Sequence, residues 1–535
     1  MTMGRWKPLR QLLAAGIFLV AAGCNGGGGA TDADAGEDAD TVEIPEAFTF
    51  AIELVPAVGY EAGQDLSTIT VTIHADPPIV FDGVEVPDAG PFVFTFEMEP
   101  QQAALVAGVT VDGYRSELEG TIFSTGRCPP VRLGDYAADP ETGLPHALPL
   151  FFHRLEEFSL MPDPLAMTVG RFGHRAAVAP SGRIVIVGGA TPTGLTRVVE
   201  VMDPGPMAFG PAGELPEARS EFALLPTGEG EWLIAGGRTA QTGALRMRDD
   251  GTTISFESVE IPAELQGVWA APRATMLPGG SWVLGGADTG PDAPSAVYAV
   301  YDPAAGFSVL SFTAGGDPIE MDKYHPTLTA IATAAGERVL VYGGAGTLIP
   351  AILLDPATGE LSDGQQPLMD GRYDHGAGSA LMHSDDGTVE NEAVLIMAGE
   401  EKPDGTTPEP AETVQVFIPA CLDGPCIMTS AWSNAGPAFA DRPAKAGAVA
   451  VLPDGRIFYI GGRGPDGEAV DTVVAFTAST PTRFFMTNFT LVEPRVGAET
   501  VWYEPTRQLF ILGGEGTGGV PLGSVEVFTP REPEG

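Results

Sequence analysis

The sequence predicts an all-β protein: a series of stacked four-stranded units preceded by a small β domain. Three observations carry that prediction. Seven apolar runs, each closing on a pair of small residues, recur at intervals of 48, 49, 58, 55, 63 and 52 residues through the C-terminal part of the 535-residue chain. Between Phe48 and Phe123, apolar and polar residues alternate with period two, as half-buried strands do. Gly, Pro and Asp clusters punctuate the runs, and a 44% hydrophobic content supplies sizeable cores.

The first element is a processing signal. Arg5, Lys7 and Arg10 form a basic head and Leu12 to Ala22 an apolar run, too short to span a bilayer as a helix. It ends in Leu19-Val20-Ala21-Ala22-Gly23-Cys24, which resembles the lipobox of bacterial lipoproteins, with Ala21 where Leu is usual. The resemblance implies a signal peptide over 1–23 and a lipid anchor to the membrane through Cys24. Asn25, not Asp, follows that cysteine, which implies the outer membrane or cell surface. The alternative is an ordinary secretory signal cut near Ala22 or Gly23. Residues 24–46 then hold seven acids and almost no large apolar side chain, so they cannot bury enough surface to order themselves and read as a solvated tether. Asp32, Asp34 and Glu37 resemble the start of a calcium loop, but Gly36 stands one place early and no helices flank it.

Charge limits the partners. The formal charge is −43, or −46 once the basic head is cut away, and 64 of the 71 acids lie outside the tether. Nucleic acid is excluded as a partner by repulsion, and a bare anionic lipid surface is disfavoured. We expect a monomer, with no cofactor. Four cysteines complete the inventory. In Cys421-Leu-Asp-Gly-Pro-Cys426 the turn residues bring two sulfurs together, and an exported chain meets an oxidising compartment, so a local disulfide is expected. A zinc knuckle would lack its other ligands. Cys128 has no evident mate.

The runs FTFAIEL, STITVTIHA, PFVFTFEM and LEGTIFS read as strands of a β-sandwich over 47–126, of roughly immunoglobulin size, about 100 residues. Its expected role is to space the following domain from the membrane, with carbohydrate binding as the functional rival. Residues 127–148, RCPPVRLGDYAADPETGLPHAL, are rich in Pro and Gly and read as a linker.

The repeats occupy 149–535. All but the fourth, which has Asp322-Lys323-Tyr324-His325 instead, begin near an Arg, as in RFGHRAAVAPSGRIVIVGG from Arg171; a turn with Gly such as Ser181-Gly182, Gly279-Gly280 or Asp454-Gly455 then leads into a second strand ending on the small-residue pair. A third strand follows (VVEVMDP, VQVFIP, VEVFTP), then a fourth with an aromatic such as Phe209, Phe307 or Trp432. This pattern and its period of about 50 residues resemble the kelch repeat, and the resemblance covers about 385 residues of the chain. It implies a seven-bladed kelch β-propeller. The chain stops after a third strand, VEVFTPREPEG, while FFHRLEEFSLM (151–161) stands where a fourth would. We therefore expect 151–161 to complete the last blade and close the ring.

The chemistry of the repeats has two readings. Arg171, Arg219, Arg273, Arg372, Arg442 and Arg495 stand just before the first strands, which in kelch propellers line the central channel. Guanidinium forks bind carboxylates, and one kelch adaptor of ubiquitin ligases captures acidic peptides with arginines at this position. The structural alternative is that they tie neighbouring blades through carbonyls and buried acids. His174, His325 and His375 share an equivalent place a few residues on. Galactose oxidase, a seven-bladed kelch-type copper enzyme, also needs two tyrosines and a cross-linked cysteine that these repeats do not offer. The periplasmic sialic-acid mutarotase, another kelch propeller, lines its pocket with Arg and Glu; here Glu221 and Glu499 follow Arg219 and Arg495. No GxSxG or HExxH motif occurs. The reading is a propeller that binds a protein, peptide or glycan ligand at its mouth, with a carbohydrate-active enzyme as alternative.

Overall fold

The computed structural model describes residues 48–115, 121–137, 146–239, 243–266, 271–285, 296–321, 325–344, 351–364, 372–383, 390–401, 409–422, 432–439, 444–480 and 483–531. The signal peptide and tether with Cys24, and also Cys426 and Arg442, lie outside them. Cys421 is disulfide-bonded and Cys128 is free and buried. Among the described residues no helix is long and apolar enough to cross a membrane.

Seven four-stranded antiparallel sheets form the blades of a propeller. Their inner strands are Arg175–Val178, Ala223–Gly228, Arg273–Met276, Thr327–Thr333, Gly376–His383, Ala448–Val451 and Glu499–Tyr503, which number blades 1 to 7. Second strands such as Ile184–Val187 and Gln508–Leu512 are buried at every residue, because both faces of a blade pack on neighbouring blades. That explains why these strands are apolar runs rather than alternating ones. Ala244–Asp249 forms the third strand of blade 2, with Arg246 and Arg248 both paired to Glu231.

The small-residue pairs weld blade to blade. In four of the Gly-Gly pairs the second residue donates its N–H to the main chain at the entrance of the next blade: Gly189 to Arg219 O (2.8 Å), Gly344 to Arg372 O (2.7 Å), Gly462 to Arg495 O (2.9 Å) and Gly514 to Arg171 O (2.9 Å). The last of these joins blade 7 to blade 1. A Cβ on Gly343 would lie 2.1 Å from Arg372 O, and its φ of 66° is one that glycine adopts without strain.

The ring closes as expected, but with a shorter segment. Phe158–Leu160 pairs antiparallel with Val525–Phe528, matching Phe158 with Phe528, and Phe158 packs its ring against Phe458, Phe489 and Phe528. Residues 151–154 instead belong to Leu148–Arg154, a strand of the N-terminal domain. A left-handed residue, Glu156 (φ 58°), separates the two.

The N-terminal domain is one continuous seven-stranded sheet rather than two. Phe81 and Phe96, from its opposite edge strands, lie 4.4 Å apart, so the sheet folds over its own core in the manner of a sandwich. The expected linker is largely structured. Ile122–Arg132 is its longest strand and Leu133–Tyr136 a 3-10 turn. The Pro129-Pro130 pair sits where the register with Val106–Tyr114 shifts, a bulge that spares the missing N–H groups. This domain is not a detached spacer. Its core runs on into Met202, Tyr503 and Val527 of the blades, and buried His153 meets Thr529 Oγ1 (3.0 Å) and Gln508 (3.3 Å).

Candidate functional site

Four of the six repeat arginines turn away from the channel. Arg171, Arg219, Arg372 and Arg495 are at most 1% exposed. Arg171 Nη1 donates to Gly188 O and Val198 O, Arg219 Nη1 to Gly236 O and Gly243 O, and Arg495 Nη1 to Gly513 O and Ser524 O. Arg372 donates to Thr413 O at 2.6 Å. Each side chain thus satisfies carbonyls where the second strand bends into the third of its own blade, groups that burial would otherwise orphan. Fully buried acids complete two of these units: Arg171 pairs with Glu200, and Arg495 with Glu526 at 2.7 Å. Glu200 also accepts the Thr168 N–H, and Glu526 those of Val492 and Glu493, so each pair pins the chain entering its blade. The expected mouth of six guanidiniums is therefore not formed. The side chains tie their own blades, and only the main-chain carbonyls tie neighbours.

The other two arginines were aligned out of register. Arg273 is the first residue of its inner strand, opposite Gly285, as Arg175 is opposite Val187. Ala444, not Arg442, accepts the N–H of Gly399 in the interblade link. Aligning the units on their Gly turns, rather than on arginine, gives both assignments.

The histidines divide as well. His174 and His375 are buried wedges between blades. A Cβ on Gly513 would lie 2.9 Å from the His174 ring and one on Gly343 2.6 Å from the His375 ring. Burial, with nearby arginines, pushes both down to about 3. His325 stands one place earlier, with φ 52°, at the channel mouth. Among the described residues no group of three His, Cys, Asp or Glu could hold a metal ion. Glu221 and Glu499 do not partner Arg219 and Arg495. They pair with Arg238 (2.8 Å) and Arg175 (3.2 Å).

What the propeller does build is a mouth. Two residues before each inner strand the chain turns left-handed, at Gly173, Glu221, Ala271, His325, Asp374, Ala446 and Gly497 (φ 50–62°). Main-chain bonds link some of these positions around the rim: Glu221 N to Gly173 O, Gly173 N to Gly497 O, and Ala446 N to Asp374 O. Five are not glycine, and each such residue costs on the order of 1–2 kcal/mol. The repeated turn displays its side chain at the rim, and the next charged ring comes from the inner strand starts Arg175, Arg273 and Glu499. Residues following the small-residue pairs add Arg238, Arg463 and Glu515, and Arg463 pairs with Glu515 at 2.6 Å.

These groups line a cavity of about 820 Å³. Within it three guanidiniums are matched by three carboxylates. The side chains of Arg273, partly exposed, and Asp374, exposed, have no hydrogen bond or ion pair among the described residues. Burial and Arg175 push Arg273 down, opposed by Asp374 and Glu221, while burial pushes Glu499 up against the pull of Arg175. Sequence reading missed Arg175, Arg238, Arg463, Asp374 and Glu515. Arg238, Arg463 and Glu515 could have been found from their place directly after a Gly pair.

No protein-family model matches the chain, and no curated protein matches it. Among solved structures, one that is similar is described as a novel fungal alcohol oxidase with catalytic diversity among the AA5 family, in complex with copper. It is 13% identical, covers 68% of this chain and 75% of that one, and has a TM-score of 0.49. No residue role follows from it.

Proposed function

We propose that the chain is an exported, lipid-anchored kelch-type propeller that binds a protein, peptide or glycan ligand in its channel mouth, as a monomer at the outer membrane or cell surface. The observation that carries this reading is the charged cavity with Arg273 unpaired at its wall. A cavity of this size falls within the range of about 300–1,000 Å³ that encloses a small ligand. Its partly exposed guanidinium lies in a site whose other arginines are already matched. The strained rim supports the same reading, since left-handed residues other than glycine persist where the surroundings fix them and cluster at functional sites.

A glycan and peptide array probed with the full chain tests the proposal. Capture that disappears in Arg273→Gln is the expected result, and capture that survives the substitution overturns the mouth as the site. The anchor is tested separately. Cys24→Ser should abolish labelling by a fatty-acid analogue and release the chain from the membrane fraction, and unchanged labelling would rule the anchor out.

A further inference from the structure

We infer that the mouth selects a zwitterion, a short peptide with both ends free, binding its carboxylate at Arg273 and its ammonium at Asp374. The inference deepens the proposed function and rests on it. The charge count in the cavity carries it. Arg175, Arg238 and Arg463 are each matched by a carboxylate within 3.2 Å, from Glu499, Glu221 and Glu515. Among the described residues one guanidinium and one carboxylate are left over, on blades 3 and 5, and both line the same cavity. They feel each other electrostatically without a hydrogen bond or ion pair between them, so each is held by solvent that a ligand can displace.

A ligand carrying only negative charge would satisfy Arg273 and face Asp374 as a like charge. One carrying only positive charge would meet the reverse. A neutral polyol would replace the solvent around two full charges with hydroxyl groups alone. It would also find one Phe, Tyr or Trp ring, that of Phe172, among the lining residues. A zwitterion restores charge balance at both groups with charge-assisted hydrogen bonds. The wall beside Asp374 is made of Gly376, Ala377, Gly447 and Ala448, which leaves room for a peptide main chain and small side chains.

Isothermal titration of the full chain with alanine, dialanine, trialanine and tetraalanine tests this, each peptide compared with its N-acetyl and C-amide forms. Glucose and succinate serve as the neutral and dianionic probes. One free-ended member of the series should bind, and blocking either end should weaken it about tenfold or more. In Arg273→Gln the C-amide and free acid should bind alike, and in Asp374→Asn the N-acetyl and free amine should bind alike. Each variant must keep its sensitivity to the other end, which also shows that it is folded. Affinity indifferent to blocking overturns the inference. Succinate or glucose bound through Arg273 with no peptide bound overturns it as well, while leaving the mouth as a binding site. No binding by any probe overturns the inference and leaves the mouth to the array test.

Discussion

Arg171 and Arg175 stand four residues apart on one short segment and have opposite fates. Arg171 is fully buried, its guanidinium spent on three carbonyls and Glu200; Arg175 is partly exposed and faces the channel. The same contrast separates Arg495 from Glu499. Recurrence marks a structural need, because blades 1, 2, 5 and 7 satisfy the same bent carbonyls with the same buried arginine. Positions where the blades differ, such as the strand starts Arg175, Arg273, Thr327 and Glu499, carry no such obligation and are free to define a ligand.

The sharpest way to break this contrast is to remove one arginine of each kind. Arg495→Met leaves Glu526 buried without its counter-ion, which should cost about 3–5 kcal/mol. Burial already pushes Glu526 up, so part of the loss should return as the pH falls and the carboxyl takes up a proton. Arg273→Gln removes no described partner and should shift stability by no more than about 0.5 kcal/mol. Urea unfolding of the two variants beside the parent checks this. Comparable losses would show that the channel arginine is structural after all.

Protonation tests the histidine wedges next. His375 falls from 6.5 to about 3 on folding, so the unfolded chain binds the proton more tightly. Its contribution is intact above pH 6.5 and is lost as the pH falls from there toward 3. The stability of the parent relative to His375→Gln should therefore drop by up to about 1.4 kcal/mol per pH unit below 6.5. Parallel pH profiles for the two proteins would mean that the ring is not buried neutral between the blades.

The ring itself was legible from the letters. The seven small-residue pairs, the Gly turns and a third strand left without a partner at Phe528 give the blades and the closing Phe158–Leu160. Other features were hidden for physical reasons. Leu148–Arg154 alternates no differently from a blade strand, and the break after it rests on a left-handed glutamate rather than on Gly or Pro. Arg273 mimics the buried arginines because residue type repeats at two positions four apart, whereas side-chain direction is set by place in the strand. Asp374 gave no signal, since its role depends on which acids remain after others find partners in the same or the neighbouring blade.

The smallest expected effect sharpens the comparison most. Glu499→Gln frees Arg175, whose pair is partly exposed, with side chains 27% and 21% accessible. An ion pair in that setting is worth no more than about 1 kcal/mol. Burial pushes Glu499 up, so losing its charge also removes a desolvation cost, and the net change in unfolding free energy should fall below that figure. The ligand preference should change more than the stability. The mouth would then hold two unmatched guanidiniums against one carboxylate, and titration should find succinate gaining affinity at the expense of free-ended peptides. If succinate binding stays as it was, Arg175 is held by its bonds to Phe222 O (2.9 Å) and His174 O (3.2 Å) and belongs with the buried arginines, leaving Arg273 to define the mouth.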